Sequence, residues 1–372
     1  MIHFGDISKE EFLREYWQKK PLFIKSAIPG FISPLSPNEL AGLSCEDEFE
    51  SRIIKGSVKN NLWTLENGPF NDKSFKNTPN NEWTLLVQGV DKHVQEIYEL
   101  IDEFNFIPRW RFDDVMISFA SLGGSVGPHY DHYDVFLLQG HGKRKWQISS
   151  IDCNPSNYVP SSPLRIMKNF EIETTWVAEP GDIVYIPPGI AHHGESTDNE
   201  CITLSIGYRS YSANEMLESL ELIRDDDNNS YYKDPLWLDQ QGSAEIPNSA
   251  IEKLIKLTKN SKLSDTFFGC FVTKLDPLDE EKLNDVVAFN SPLIIKDSVT
   301  YSLHPLSRIA YQFIDKVLVV FLNGNTLQIN DIHDDLIIEF CNTRRIKVTA
   351  INKALAIQFS ALLLLEETRP NN

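Results

Sequence analysis

The sequence predicts a mainly β fold of the sandwich or barrel type, followed by a helical segment and a small α+β domain. Residues 113–210 consist of short strand-like runs separated by glycine and proline, among them VMISFASL, DVFLLQ, KWQIS, TWVA, GDIVYIPPG and CITLSIGYRS. After Tyr211 the apolar residues follow helical spacing, as in ANEMLESLELI and SAIEKLIKLTKN. The last hundred residues mix both patterns, which is typical of an α+β domain.

The chain opens with a predicted helix over residues 8–20. Phe12, Tyr16 and Trp17 share one face of this helix, and Ser8 stands at the N-cap position. The next stretch, PLFIKSAI, predicts a strand, and the strand-like runs of 113–210 follow it.

The C-terminal part is divided by changes of pattern near residues 210 and 265. In its last section LSRIAYQFI (306–314) predicts a helix, and KVLVVFLNGNTLQIN (316–330) predicts two strands, because Asn323-Gly324 is a favourable hairpin turn. The predicted parts are therefore residues 1–210, 211–265 and 266–372.

Composition excludes several classes of protein. Hydrophobic residues make up 41% and charged residues 24% of the 372, an ordinary globular balance, and no apolar run is long enough to span a membrane. The N-terminus has no secretory pattern, and the 5 cysteines form no C-x-x-C pair, which fits a cytoplasmic protein. A net charge of −18 disfavours direct nucleic-acid binding. That charge is compatible with a basic protein substrate, or with solubility alone.

The stretch GPHYDHYD (127–134) contains two overlapping His-x-Asp triplets. Alternate residues of a strand share a face, so His129, Asp131 and Tyr133 lie on one side, and Tyr130, His132 and Asp134 lie on the other. With 9 His and 53 Asp and Glu residues in 372, chance alone gives roughly 1.3 such triplets, so the pattern by itself is weak. The residues leave both registers open.

A third metal ligand is available in EPGDIVYIPPGIAHHGE, where a rigid Pro-Pro-Gly turn precedes His192 and His193. Two histidines and one carboxylate on one face of a metal leave positions open for a cosubstrate and O₂, which suits non-haem Fe(II). Zinc enzymes use the same ligand types, so these residues alone do not identify the metal.

A second signal is GHGKRKWQIS. Strand parity places Arg144 and Trp146 on one face, with Lys143 and Lys145 on the other. A buried guanidinium binds a carboxylate through paired hydrogen bonds, but a basic surface strand gives the same pattern.

Four segments together resemble the JmjC-type cupin family of ribosomal oxygenases, and within it the bacterial members that hydroxylate an arginine of ribosomal protein L-sixteen. These segments are FLREYWQKKPLFIKSA, WTLLVQGV, ISFASLGGSVGPHYDHYDVFLLQGHGKRKWQI and GDIVYIPPGIAHHGE. The resemblance implies a double-stranded β-helix (jelly-roll) domain over 1–210, a helical dimerisation segment over 211–265 and a winged-helix-like domain over 266–372.

The resemblance also implies the site. The family pattern assigns iron to His129, Asp131 and His192, and it assigns the distal carboxylate of 2-oxoglutarate to the basic residue fifteen positions after the first histidine. That residue is Arg144, with Ser118 as a second contact, whereas counting from His132 reaches Gln147. His193 is then a neighbour of the site.

The implied function is an Fe(II)- and 2-oxoglutarate-dependent dioxygenase that hydroxylates an arginine of a large-subunit ribosomal protein and acts as a cytoplasmic homodimer. Parity places Tyr133 on the ligand face, where its ring could stack on a guanidinium or simply pack. The alternatives are a JmjC oxygenase that hydroxylates histidine or demethylates lysine, and a binding module without activity.

Overall fold

The computed structural model describes residues 2–59, 62–160, 162–219, 231–238, 240–258 and 265–368. The chain forms two compact units. The first unit contains Met1–Phe104 and Phe112–Ser210, and the second contains Asn105–Arg111 and Tyr211–Asn372. A further boundary near residue 265 stays a prediction, because residues 259–264 lie outside the described ranges.

The first unit is mainly β. Its strands in the described ranges are β1 (Leu22–Ile24), β2 (Ser51–Ser57), β3 (Leu62–Asn67), β4 (Trp83–Val87), β5 (Phe112–Ala120), β6 (His129–Tyr130), β7 (Val135–His141), β8 (Arg144–Ser149), β9 (Thr174–Ala178), β10 (Ile183–Ile186), β11 (Ala191–Ser196) and β12 (Cys201–Tyr208). Its helices are α1 (Lys9–Glu15), α2 (Pro37–Leu43), α3 (Asp72–Lys76) and α4 (Gln95–Leu100), with short 3₁₀ turns at Val90–Lys92, Ile101–Phe104 and Pro155–Asn157.

Two antiparallel sheets form the first unit. The larger has the order β1-β10-β7-β12-β5-β4-β2-β3, and the smaller has the order β6-β11-β8-β9. From β5 to β12 the chain passes back and forth between the sheets, and each sheet receives four of these strands. This is the predicted jelly-roll arrangement, and it encloses a pocket between the two sheets. Strands β2, β3 and β4, which the sequence patterns did not predict, extend the larger sheet.

Helix α1 is shorter than predicted. Ser8 caps it as expected, since its Oγ accepts a hydrogen bond from the backbone N–H of Glu11 at 3.0 Å. The helix ends at Glu15 rather than near Lys20, because Gln18 adopts a left-handed conformation with φ 55°. This turn lets Trp17 fold back into the core beside Phe12, so both rings are buried.

The second unit contains helices and two small sheets. Its elements in the described ranges are a 3₁₀ turn at Arg109–Arg111, α5 (Ala213–Ser219), α6 (Asn248–Thr258), α7 (Phe267–Thr273), α8 (Pro277–Phe289), β13 (Thr300–Leu303), β14 (Ile309–Ile314), β15 (Val317–Leu322), β16 (Asn325–Leu327), α9 (Asp334–Thr343), β17 (Arg345–Lys347), α10 (Lys353–Ala361) and β18 (Leu365–Glu367). The sheets have the orders β17-β13-β18 and β14-β15-β16. Helices α5 and α6 confirm the helical pattern after Tyr211, although residues 220–230 of the first predicted helix lie outside the described ranges.

The predicted helix over 306–314 is wrong. Strand β14 occupies most of it and pairs with β15 through a two-residue turn at Asp315 and Lys316, whose φ angles are 48° and 68°. A short apolar run fits either period, and here the left-handed turn and the paired strand decide the outcome. The predicted hairpin at Asn323-Gly324 is confirmed, with φ angles of 49° and 83° between β15 and β16.

Candidate active site

Three potential metal ligands meet inside the first unit. His129, Asp131 and His192, hereafter the triad, offer ligand atoms that all lie within 4.8 Å of one another. The Nε2 atoms of the two histidines are each 3.7 Å from Oδ2 of Asp131. A metal 2.0–2.2 Å from each donor would bring these atoms to about 3 Å apart, so small side-chain rotations are sufficient for binding.

Strand pairing explains why these residues meet although 63 positions separate His129 from His192 in the sequence. In the antiparallel pair β6–β11, His192 lies directly opposite His129. The Pro-Pro-Gly turn before β11 ends at Gly189, whose φ of 77° favours glycine, and its N–H donates to the carbonyl oxygen of Asp131 at 2.7 Å. The turn therefore fixes the backbone of the carboxylate ligand as well as the start of the histidine strand.

The two imidazoles are oriented by backbone carbonyls. Nδ1 of His129 lies 2.9 Å from the carbonyl oxygen of Gly127, and Nδ1 of His192 lies 3.3 Å from that of Ile190. A proton on Nδ1 donates to the carbonyl and leaves the Nε2 lone pair directed at the metal position, as metal-binding histidines require. Burial, reinforced by the neighbouring His129, lowers the pKa of His192 to about 4, so this imidazole is neutral at ordinary pH.

Arg144 is a buried cation in the same pocket. It begins β8, where burial alternates so that Arg144 and Trp146 face inward and Lys145 faces outward, as parity predicts. Its guanidinium lies 5.6 Å from the Trp146 ring centre. In the described part of the chain, neither Nε nor Nη2 of Arg144 has a hydrogen-bond partner. A buried guanidinium with unused donors indicates that an anion belongs there.

The triad and Arg144 line one pocket of about 450 Å³, the size expected for a site that holds a small molecule and one side chain. Ser118 and Tyr133 line it too. Ser118 is buried, and its hydroxyl donates to the carbonyl oxygen of Thr203 at 3.3 Å. Tyr133 is 41% exposed at the pocket, and desolvation of its hydroxyl by the surrounding residues, followed by the charge of Asp131, raises its pKa well above the usual value.

Asp114 was not found from the sequence, although strand parity could have shown it. Asp114, Met116 and Ser118 are alternate residues of β5, and all three line the pocket. Oδ2 of Asp114 accepts hydrogen bonds from Gln88 Nε2 at 2.7 Å and from the N–H of Gly89 at 2.8 Å. Burial, then the charge of Asp113, raises the pKa of Asp114 to about 7.

The second His-x-Asp triplet does not form a metal cluster among the described residues. His132 is exposed, with its ring edge-on to Tyr130 at 5.5 Å. Asp134 is 1% exposed and bonds to Tyr185 and Gln18. His193 lies in β11 next to His192, but its Nδ1 is 3.1 Å from Oε1 of Gln147.

Comparison with known proteins gives a consistent result. Residues 99–216 match a family model described as JmjC domain. The chain is 34% identical over 270 residues to the ribosomal protein uL16 3-hydroxylase of Escherichia coli K12, covering 71% of each protein. It is also 34% identical over 273 residues to a probable ribosomal oxygenase of Haemophilus influenzae, covering 70% of this chain and 67% of that protein.

Solved structures agree over nearly the whole chain. An X-ray structure of E. coli YcfD superimposes with a TM-score of 0.70 at 26% identity and covers 97% of this chain and 99% of that one. The YcfD ribosomal oxygenase in complex with cobalt and 2-oxoglutarate gives a TM-score of 0.66 at 27% identity, covering 96% and 94%. Within the described ranges, every helix is too short or too polar to cross a membrane.

Proposed function

The chain belongs to the JmjC-domain ribosomal oxygenases, and from this premise we propose that it is an Fe(II)- and 2-oxoglutarate-dependent enzyme that hydroxylates an arginine side chain of ribosomal protein uL16. Ribosomal protein uL16 is proposed as the substrate because the relatives are named a ribosomal protein uL16 3-hydroxylase and a probable ribosomal oxygenase. Arginine is proposed as the modified residue because of the side chains that line the pocket.

One observation carries the proposal: a two-histidine, one-carboxylate triad shares a pocket with a buried arginine whose donors are unused. Three protein ligands on one face leave positions for a chelating cosubstrate and O₂. Arg144 is suited to the second carboxylate of a dicarboxylic acid. When bound, iron with 2-oxoglutarate and O₂ supplies the oxidising chemistry, and succinate and CO₂ are the coproducts.

The side chains of the pocket bind, orient and exclude water. The triad binds the metal, and the carbonyls of Gly127 and Ile190 hold both imidazoles in the tautomer that ligation needs. Arg144 binds the distal carboxylate, and Ser118 adds a second donor once its hydroxyl turns away from Thr203. Trp146 supplies an apolar surface that keeps water from the guanidinium.

Arginine is the substrate residue that the pocket fits best. Asp114 offers a carboxylate that is not used by the triad, and a guanidinium is the natural partner of such a group. Tyr133 is partly exposed in the same pocket and can stack on the planar cation. A neutral histidine would leave Asp114 without a charged partner, and methyl-lysine, although cationic, lacks the paired N–H donors with which a guanidinium binds a carboxylate, which disfavours the alternative JmjC activities.

The assembly and location also remain part of the proposal. We expect the helices of 211–265 to hold a homodimer and the C-terminal part to form a winged-helix-like domain. Because its substrate is a ribosomal protein, the enzyme would act in the cytoplasm, and its net charge of −18 favours a basic protein over direct contact with nucleic acid.

Mass spectrometry of uL16 tests the function directly. Incubation of purified uL16 with the protein, Fe(II), 2-oxoglutarate and O₂ should add the mass of one oxygen atom to a single arginine. A uL16 variant with lysine at that position should not be modified. Equal modification of both would remove arginine specificity, and absence of both modification and succinate release would leave a binding module.

A further inference from the structure

The loop between β6 and β7, residues 131–134, carries both the Asp131 ligand and Tyr133, yet it has no strand partner of its own. Its backbone is held at the two ends. Gly189 N–H donates to the Asp131 carbonyl at 2.7 Å, and Tyr208 N–H donates to the Asp134 carbonyl at 3.0 Å. The orientation of the loop therefore depends on what its side chains contact.

The side chain of Asp134 is bound in a closed ring of three residues. Its Oδ1 accepts from the Tyr185 hydroxyl at 2.6 Å, and its Oδ2 accepts from Gln18 Nε2 at 3.0 Å. The backbone N–H of Gln18 in turn donates to the Tyr185 hydroxyl at 2.7 Å. Both acid oxygens and the phenol are thus satisfied within one ring.

These hydrogen bonds lie in the buried core of the first unit. Asp134 and Tyr185 are 1% and 0% exposed. The Tyr185 ring stacks on Trp17 with centres 5.5 Å apart and contacts Phe136 at 5.0 Å. Tyr185 lies on β10, and Gln18 lies in the left-handed turn after α1. Asp134 therefore attaches the loop to two elements that contribute no member of the triad.

We infer that Asp134 and Tyr185 are positioning residues for the Asp131 ligand, an inference that rests on the metal site of the proposed function. Asp131 and Tyr133 both line the pocket, whereas Asp134 is buried outside it. Anchoring Asp134 in the core turns Tyr133 towards the pocket, and Asp131 is held towards the two histidines. The second acid of GPHYDHYD is therefore the anchor of the stretch and not a ligand.

Co(II) titration of the full-length protein tests this, with the metal alone as the probe. Tyr185→Phe removes one hydroxyl and no bulk, and it should weaken Co(II) binding about tenfold, as loss of groups that orient ligands does. The visible spectrum of bound Co(II) should shift as the Asp131 carboxylate loses its position. Asp134→Ala should bind more weakly still, and Asp134→Asn, which can accept from Tyr185, should recover part of the loss.

Tyr301→Phe is the matched control, because Tyr301 is also 1% exposed and lies in the second unit. Its hydroxyl likewise accepts from a backbone N–H, that of Lys296 at 3.1 Å, and donates to the Ile294 carbonyl at 3.4 Å. This control should lose thermal stability but keep wild-type Co(II) affinity and spectrum. If Tyr185→Phe behaves in the same way, the ring is only structural and the inference is wrong. If the folded wild-type protein fails to bind Co(II), the proposed metal site itself is refuted, and the inference with it.

Discussion

Replacing Arg144 by methionine should weaken the binding of 2-oxoglutarate without lowering the stability of the protein in the absence of cosubstrate. The guanidinium is 4% exposed, and its Nε and Nη2 have no partner in the described chain, so we expect these donors to serve the cosubstrate. Loss of the buried partner of a charged group costs roughly 2–5 kcal/mol. A loss of about 3 kcal/mol raises the 2-oxoglutarate KM about a hundredfold, since each 1.4 kcal/mol or so is a factor of ten.

The apo protein should not be destabilised by the same change. Each buried donor without a partner costs about 1–3 kcal/mol, which Arg144→Met removes. The cation–π contact with Trp146 is lost as well and is worth about 1–2 kcal/mol. Because two such donors are removed, the free energy of unfolding should stay constant or rise by up to about 5 kcal/mol.

Succinate release as a function of 2-oxoglutarate concentration measures the first effect, and denaturant unfolding without cosubstrate measures the second. Lys145→Met is the matched control, because Lys145 is the next residue of β8, faces outward and pairs with Glu195 at 3.0 Å. It should leave the KM unchanged. An unchanged KM in Arg144→Met would show that another guanidinium of the pocket, Arg52 or Arg165, binds the carboxylate. A clear loss of apo stability would show that Arg144 is a structural residue.

Further substitutions and a shortened chain test the metal ligands, the role of Asp114 and the dimer contact. Alanine at any member of the triad should abolish Co(II) binding, whereas His132→Ala and His193→Ala should keep it; titration that gives the reverse would refute the assignment. Because the pKa of Asp114 is raised to about 7 from 3.8, the carboxylate is protonated below that pH, so affinity for the arginine substrate should rise as pH increases through 7. Asp114→Asn should weaken substrate binding and remove most of this pH dependence. The raised pKa of Asp114 also means that its ionisation destabilises the folded protein at high pH, so Asp114→Asn should be more stable than the wild type above pH 7. A fragment that ends near Ser210 should be monomeric in light scattering if residues 211–265 form the dimer contact, and a dimeric fragment would contradict this.

Much of the first unit could be predicted because its signals are local. Glycine and proline separate short strands from Asp113 to Ser210, and the period of two along β8 placed Arg144 on the face of Trp146, while the family resemblance supplied its role. The strand β14 could not be predicted with the same rules. Its six residues fit a helix or a strand, and only the hairpin partner β15, with the left-handed Asp315 and Lys316, selects the strand.

Asp114 shows a different limit of prediction from the sequence. Asp114 follows Asp113 in the sequence, and an adjacent pair of acids at the start of a strand is usually a solvated end. Its functional character comes from burial and from Gln88 and Gly89, which the chain brings from more than twenty residues away. Strand parity places Asp114 on the same face as Ser118, but no local pattern shows that this acid is buried or which groups bind it.

The stretch GPHYDHYD shows why spacing alone could not select the metal ligands. Both triplets have the same residue types at the same separation, and the physical difference lies in what faces each of them. His129 is opposite His192 in the β6–β11 pair, so Asp131 meets two imidazoles. Asp134 instead meets a phenol and an amide, which donate hydrogen bonds but do not bind a metal. A carboxylate therefore becomes a ligand or an anchor according to its neighbours in the fold, and the anchor is the group that gives the ligand a defined position.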